Sequence, residues 1–262
     1  MENLSISVKE LMEAGAHFGH QKRRWNPRMK RFIFEEKSGL YIIDLAKTLN
    51  QIRMALPVIK KTVESHKSIL FVGTKKQAKN VIKESAEACG EFYVCERWLG
   101  GMLTNMSTIR QSIKTLEDTE KKLSATDDND LTKKELSLLS KKQQKLDRNL
   151  SGIRYMKNRP GLLIVVDPSY ERIAVAEATK LGIPVCALVD TNCDPTPITY
   201  VIPCNDDSLK SIKVIISAIR DVITDTKKQM GMPMQRLSKE SNETGGPQEE
   251  TLLTMKYEGG QE

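Results

Sequence analysis

Short, wholly apolar runs alternate along this chain with stretches of helical periodicity, and no other feature narrows the choice of fold so far. The run Leu162, Leu163, Ile164, Val165, Val166 has no polar side, so a strand made from it has to be covered on both faces. Runs of this kind separated by helices mark an open parallel sheet flanked by helices, a three-layer α/β arrangement of the flavodoxin or Rossmann type. The pattern predicts strands at residues 68–73, 92–95, 162–166, 184–189 and 200–202. It predicts helices at residues 44–65, 75–89, 167–180 and 206–228. Gly90 and Gly182 stand where C-caps would close two of these helices. Asp206 and Asp207 suit the positive end of the last helix dipole, and Pro57 is a candidate kink in the first helix.

Between the second and third strands lies a segment that the sheet does not need. Ile109, Ile113, Leu116 and Leu123 follow at steps of 4, 3 and 7. After a polar break at Asp127, Asp128, Asn129 and Asp130, the apolar positions resume at Leu136, Leu139, Leu146, Leu150 and Ile153, at steps of 3, 7, 4 and 3. Thr132 and Glu135 form a capping box for the second of these segments. Two heptad seams across a short turn predict an antiparallel coiled-coil helical hairpin at residues 105–157. It is inserted into a discontinuous α/β domain made of residues 1–104 and 158–229. From residue 230 to 262 the periodicity gives way to Gly, Ser, Asn and Glu, so this acidic tail is expected to be disordered.

Charge points to the partner. The chain of 262 residues carries a net charge of +7. Three bases against six acids leave the segment from Met230 onward at −3, so the part before it carries +10. A balance of that kind favours a polyanion. No apolar run approaches the roughly 20 residues of a membrane span, and the N-terminus lacks the basic and apolar regions of a secretion signal. Five cysteines with no C-x-x-C pair read as buried, reduced thiols of a cytosolic protein.

The densest basic feature is Gln21 to Arg31, with Lys22, Arg23, Arg24, Arg28, Lys30 and Arg31 and no acid between Glu13 and Glu35. Arginine forks match phosphate oxygens, and Trp25 is placed to stack on a base or to pack beneath the chain. Asn26 and Pro27 argue for a loop. The competing reading is a solvated charged surface.

Other motifs fall short of chemistry. Gly73, Thr74, Lys75 and Lys76 follow a strand and open a helix, yet the G-x-x-x-x-G-K-[ST] and G-x-G-x-x-G patterns are both absent. A helix N-terminus there still offers N–H groups to a phosphate. His17 and His20, imagined with Cys89 or Cys95, lack the spacing of a zinc ribbon or finger, so packing is the better reading. Asp167, Asp190 and Asp194 sit at strand ends without a partnered nucleophile, where turns and caps explain them. The string Arg97-Trp-Leu-Gly-Gly-Met-Leu-Thr-Asn105 predicts a tight junction before the hairpin, anchored by Trp98.

Several of these strings together resemble the bacterial ribosomal protein S2 family. The likeness begins at Leu11-Met-Glu-Ala-Gly-Ala-His-Phe-Gly-His20 and passes through Trp25-Asn-Pro27, Phe71-Val-Gly-Thr-Lys75, the Arg97 to Asn105 string and Leu131-Thr-Lys-Lys-Glu135. It continues in Leu181-Gly-Ile-Pro184, Val189-Asp-Thr-Asn192, Val201-Ile-Pro203 and Asn205-Asp-Asp207, covering residues 4 to 228 in order. Cys193, Cys204 and the run Pro195 to Thr199 depart from the family pattern, and no role is carried to them. The resemblance implies a parallel α/β domain with a protruding hairpin. It also implies a place between head and body of the small ribosomal subunit, against its 16S-type ribosomal RNA, with a part in docking the mRNA-binding ribosomal protein S1. A structural protein of the cytoplasmic ribosome is expected, with no catalysis, cofactor, metal, membrane or small-molecule substrate. On this reading Lys22, Arg23, Arg24, Arg28, Lys30 and Arg31 hold phosphates, and Trp25 and Asn26 shape the loop or touch a base. Lys75, Lys76, Arg97, Asn105 and Arg110 follow as second-tier contacts. Two alternatives compete: an α/β enzyme binding a nucleotide beyond Phe71, and an adaptor whose hairpin recruits proteins without touching RNA.

Overall fold

The structure, a computed structural model, describes residues 6–124 and 132–233. In chain order the first elements are α1 (Val8–Glu13), β1 (Phe18–Gln21), β2 (Ile33–Lys37), β3 (Leu40–Ile43) and α2 (Leu45–Glu64). Then come β4 (Ile69–Val72), α3 (Lys79–Cys89), β5 (Phe92–Val94), α4 (Met106–Ser124) and α5 (Lys133–Leu150). The chain continues with β6 (Leu162–Val166), α6 (Arg172–Lys180), β7 (Val185–Val189), β8 (Tyr200–Pro203) and α7 (Leu209–Gln229).

Five strands pair in parallel in the order β5-β4-β6-β7-β8. Their side chains alternate between two buried layers, as a doubly covered sheet requires. Ile69, Phe71, Ile164, Val166, Leu188 and Ile202 face one layer, which also holds Ile52 and Ile59 of α2, Ile82 of α3 and Ile215, Ile219 and Ile223 of α7. Leu70, Val72, Leu163, Val165, Ala187 and Val189 face the other, with Ala174 and Ala178 of α6, Trp98, Met102 and Leu103. The three-layer reading of the apolar runs therefore holds. Gly90 and Gly182 adopt φ of +62° and +67°, the left-handed values of a glycine stop. Helix α2 runs on through Pro57.

Three helices begin later than the periodicity predicts, all beyond carboxyl ends of strands. α3 starts at Lys79 rather than residue 75, and α6 at Arg172 rather than residue 167. Asp167 takes φ of +60°, and its carboxylate accepts the N–H groups of Ser169 and Tyr170, each at 3.1 Å. This Asx-type turn competes with helix formation for the same donors. Helix α7 is capped by Ser208, and Asn205 accepts the N–H groups of Asp207 (2.9 Å) and Ser208 (3.1 Å). Asp206 and Asp207 thus precede the helix instead of lining its first turn.

A second sheet, antiparallel in the order β1-β3-β2, was not anticipated. Its β2 strand, Ile-Phe-Glu-Glu-Lys, is mostly exposed and lacks the alternation that marks a half-buried strand. The only local signal is Ser38-Gly39, which turns with φ of +52° and +77°, both left-handed as a tight hairpin needs.

Helices α4 and α5 occupy the inserted segment. Ile109, Leu116, Leu150 and Ile153 are buried, and Ile113 and Leu146 pack partly against the same core. The Thr132–Glu135 capping box forms as the sequence predicts. Arg154 reaches back from beyond α5 to Glu120 at 2.6 Å and Glu117 at 3.5 Å on α4. The acidic break at residues 127–130 and the tail from residue 234 to 262 lie outside the described residues.

Beyond α5 the chain passes so close to β5 that a Cβ on Gly152 would lie 2.2 Å from the Tyr93 carbonyl oxygen. Gly152→Ala should therefore force backbone apart and lower stability by about 2–3 kcal/mol. A lower urea midpoint with unchanged slope is the expected result. An unchanged midpoint would show that the approach is not tight.

Candidate nucleic-acid interface

The basic stretch is folded, not a free arm. It forms two 3-10 turns, Lys22–Arg24 and Pro27–Phe32, that lie beyond the end of β7. Met29 and Phe32 are buried in the core on the α6 side of the sheet. The Asn26 N–H donates to the Thr191 carbonyl (2.8 Å), and its side chain caps the second turn by accepting from the Arg28 N–H (3.0 Å). The backbone N–H of His20 donates to the Thr191 hydroxyl at 2.8 Å. Gly19 has to be glycine here, because a Cβ would lie 2.6 Å from the Thr191 methyl. Trp25 is half-buried, its ring 4.9 Å from that of Tyr41.

All six cations of the stretch are exposed, but they are not equivalent. Lys22 pairs with Glu36 at 2.7 Å, and Arg28 with Asp194 at 2.5 Å and the Thr196 hydroxyl at 3.0 Å. Those acids come from β2 and from the segment between β7 and β8, so the acid-free run in the sequence hides them. Arg23 donates to the neutral Gln21 amide at 2.9 Å, and Arg31 lies over the Phe32 ring at 4.6 Å. Among the described residues, no carboxylate comes within ion-pair distance of Arg23, Arg24, Lys30 or Arg31.

Lys75 is enclosed by carboxylates. Its ammonium lies 3.1 Å from Asp167, 2.6 Å from Asp206 and 2.5 Å from Asp207, and its side chain is only 16% exposed. Burial alone would make it less basic, but the carboxylates, Asp206 foremost, outweigh that and hold it charged. An ammonium enclosed in this way is not available to an RNA phosphate. The cluster fills the crevice between β4 and β6, where strand order reverses and where many open α/β sheets bind a ligand. Beside it, the Thr74 N–H and hydroxyl both donate to Glu171 at 2.6 Å. In the Lys75 crevice a nucleotide phosphate would meet Asp167, Asp206 and Asp207, so that crevice lacks the electrostatics of the enzyme alternative.

His20 bridges Asp190 (3.1 Å) and Asp207 (3.4 Å), and the bond to Asp190 raises its pKa above the ordinary imidazole value. The Asp206 carboxyl is pushed up to about 7, first by burial and then by Asp167 and Asp190. Asp167, Cys193 and Asp206 bring their ligating atoms within 4.8 Å of one another, and Lys75 supplies positive charge to that group. The Cys89 thiol, imagined beside His20, is buried and donates to the Ala86 carbonyl at 3.5 Å.

The Arg97 to Asn105 string is organised by a residue the sequence did not single out. Glu177 on α6 accepts from the Trp98 indole N–H (3.1 Å) and from the backbone N–H groups of Gly101 (2.7 Å), Leu103 and Thr104 (both 3.0 Å). The Thr104 hydroxyl adds a fifth bond at 3.0 Å. Gly101, at φ of +86°, lets the chain curl around the carboxylate. The result leaves Lys76, Arg97, Asn105 and Arg110 exposed. Asn105 accepts from the Ser107 hydroxyl at 3.0 Å, and Arg110 donates to the Lys157 carbonyl.

The description of the family "Ribosomal protein S2" matches residues 11–226. The chain belongs to the ribosomal protein S2 family. Among its S2 relatives, the small ribosomal subunit protein uS2 of Chlamydia abortus is 64% identical, over 97% of this chain and 96% of the relative. The uS2 protein of Chlamydia pneumoniae is 60% identical over 98% of both chains. That of Protochlamydia amoebophila is 63% identical over 98% of this chain and 92% of its own. S2 proteins are structural and non-enzymatic, which removes the nucleotide enzyme and agrees with the carboxylate-filled crevice. Among the described residues of this S2 chain, no helix is long and apolar enough to cross a membrane.

Proposed function

We propose that this S2-family chain is a structural constituent of the small ribosomal subunit in the cytoplasm, anchored on 16S-type ribosomal RNA through its carboxyl-edge loops. The observation that carries the reading is the set of four uncompensated cations, Arg23, Arg24, Lys30 and Arg31, on turns fastened by Met29, Phe32 and Asn26. A fastened loop loses little entropy on binding, so more of its phosphate contact energy survives as affinity. Lys22 and Arg28 exchange their acids for phosphates or share them, and Trp25 and Asn26 shape the loop. Lys76, Arg97, Asn105 and Arg110 remain second-tier contacts, and Lys75 leaves the set. Residues 105–157 form the coiled-coil hairpin projecting from the discontinuous α/β domain. The S2 resemblance supports a role beside ribosomal protein S1 in bringing mRNA to the subunit.

Phosphate contacts release counterions, so affinity should fall by roughly two orders of magnitude between about 50 and 200 mM salt. Replacing Arg23, Arg24 or Lys30 by Gln should each reduce the slope of log affinity against log salt by about one. Filter binding to small-subunit particles depleted of this protein gives that slope. Equal binding at both salt concentrations would refute the contact set.

A further inference from the structure

A groove runs over the face of α6, between that helix and the loop that wraps Glu177. Thr74, Arg97, Trp98, Tyr170 and Ile173 line one part, and Thr104, Arg172, Ile173, Ala176 and Lys180 line the next, so Ile173 joins the two. Two large side chains that a folded protein usually covers stand open in it: Tyr170 is 61% exposed and Ile173 48%. Tyr170 closes the Asx-type turn at Asp167, with its own N–H held by the Asp167 carboxylate at 3.1 Å.

Charge identifies the occupant. Arg97, Arg172 and Lys180 border the groove, Lys76 is exposed two residues beyond Thr74, and no carboxylate pairs with any of the four among the described residues. Three carboxylates also line the groove: Glu96 is paired with Lys79 and Arg148, while Glu171 and Glu177 are buried and accept only from neutral donors, so their charges offset part of the four exposed cations but not all of them. The groove thus presents an aromatic face, an aliphatic floor and an excess of exposed cations over its buried carboxylates. An unstacked nucleotide fits that combination, with its base on the ring and its phosphates on the arginines. Its Tyr170 and Arg97 end opens at the same carboxyl edge of the sheet as the basic turns, so one RNA surface can engage both.

We propose that this groove is a second RNA-docking surface, in which one unpaired base stacks on Tyr170 while Arg97 and Arg172 hold the flanking phosphates. The proposal rests on the ribosomal RNA reading above. Its test uses the full chain and small-subunit particles depleted of it. Tyr170→Ala should weaken binding about tenfold, the usual effect of losing one stacked base, and Tyr170→Phe should bind as the wild type does. Arg97→Gln and Arg172→Gln should each lower the salt slope by about one. A photoreactive phenylalanine analogue at position 170 should crosslink to RNA; crosslinking to a protein would overturn the proposal in favour of an acidic protein partner. If Arg24→Gln weakens binding and Tyr170→Ala does not, the groove is refuted and the basic turns stand. If the wild type fails to bind the particles, both readings fall. Thermal unfolding of Tyr170→Ala should match the wild type, because the ring is exposed.

Discussion

Lys227→Ala should cost this fold about 3–5 kcal/mol, the loss expected when one partner of a buried ion pair is removed. Lys227 sits in the last turn of α7 and is fully buried, with its ammonium 2.6 Å from Glu91. It also donates to the carbonyls of Cys89 (2.6 Å) and Gly90 (3.0 Å), where α3 ends. Those carbonyls carry the negative end of the α3 dipole, so a cation there is favoured twice over. Glu91 in turn accepts the N–H of Ile69, the first residue of β4, at 2.8 Å. One ammonium therefore fastens α7 to the end of α3 and, through Glu91, to the start of β4. Alanine would leave the Glu91 carboxylate buried without this cation and open a cavity as well. Lys227→Met keeps the volume and isolates the charge effect, and Lys227→Met with Glu91→Gln should recover part of the loss. Urea unfolding of the four proteins makes the comparison. A wild-type midpoint for Lys227→Ala would show that the pair contributes nothing.

Glu177→Ala should be nearly as severe, at about 3–4 kcal/mol, because it leaves two buried and three part-buried donors without their acceptor. Glu177→Gln keeps the shape but turns one acceptor oxygen into an NH₂ group facing N–H donors, so about 2–3 kcal/mol is expected. The wild type should also show a distinctive response to acid. Burial alone would raise the pKa of Glu177, but the donors of Thr104, Trp98, Leu103 and Gly101 outweigh it and hold the carboxyl below its ordinary value of 4.5. A carboxyl lowered in the folded state stabilises fully above its unfolded pKa, and that contribution disappears as pH falls through the folded value. Stability should therefore decline more steeply below about pH 4.5 in the wild type than in Glu177→Gln. Parallel slopes for the two would rule out Glu177 as the source. The Arg97 to Asn105 loop should be the first region to lose hydrogen-exchange protection in either variant, and with it the wall of the groove beside Tyr170.

The two sites differ in how far the sequence revealed them. The basic turns were legible because six cations in eleven residues are a local signal, and Pro27 and Asn26 named the conformation. Which of those cations stay unneutralised was not legible, since Glu36 and Asp194 come from elsewhere in the chain. Lys75 reads as a helix-start cation until Asp206, 131 residues away, is brought to 2.6 Å. Glu177 looks like an ordinary polar position on α6, and only the arrival of Leu103 and Thr104, 74 and 73 residues earlier, makes it the centre of a loop.

By itself the sequence determined the doubly covered parallel sheet, the two-layer core, the glycine stops and the helical segments of the insertion. Burial on both faces, heptad spacing and a left-handed cap are each written within a few neighbouring residues. Only the tertiary structure decided the antiparallel β1-β3-β2 sheet, the late helix starts at the carboxyl edge, and the partner of every buried charge. Those outcomes depend on groups far apart in sequence, and desolvation makes each charge take whatever counter-charge or donor the fold delivers. The alternation of apolar runs thus specified the scaffold, while folding decided which of its cations remain without a counter-charge.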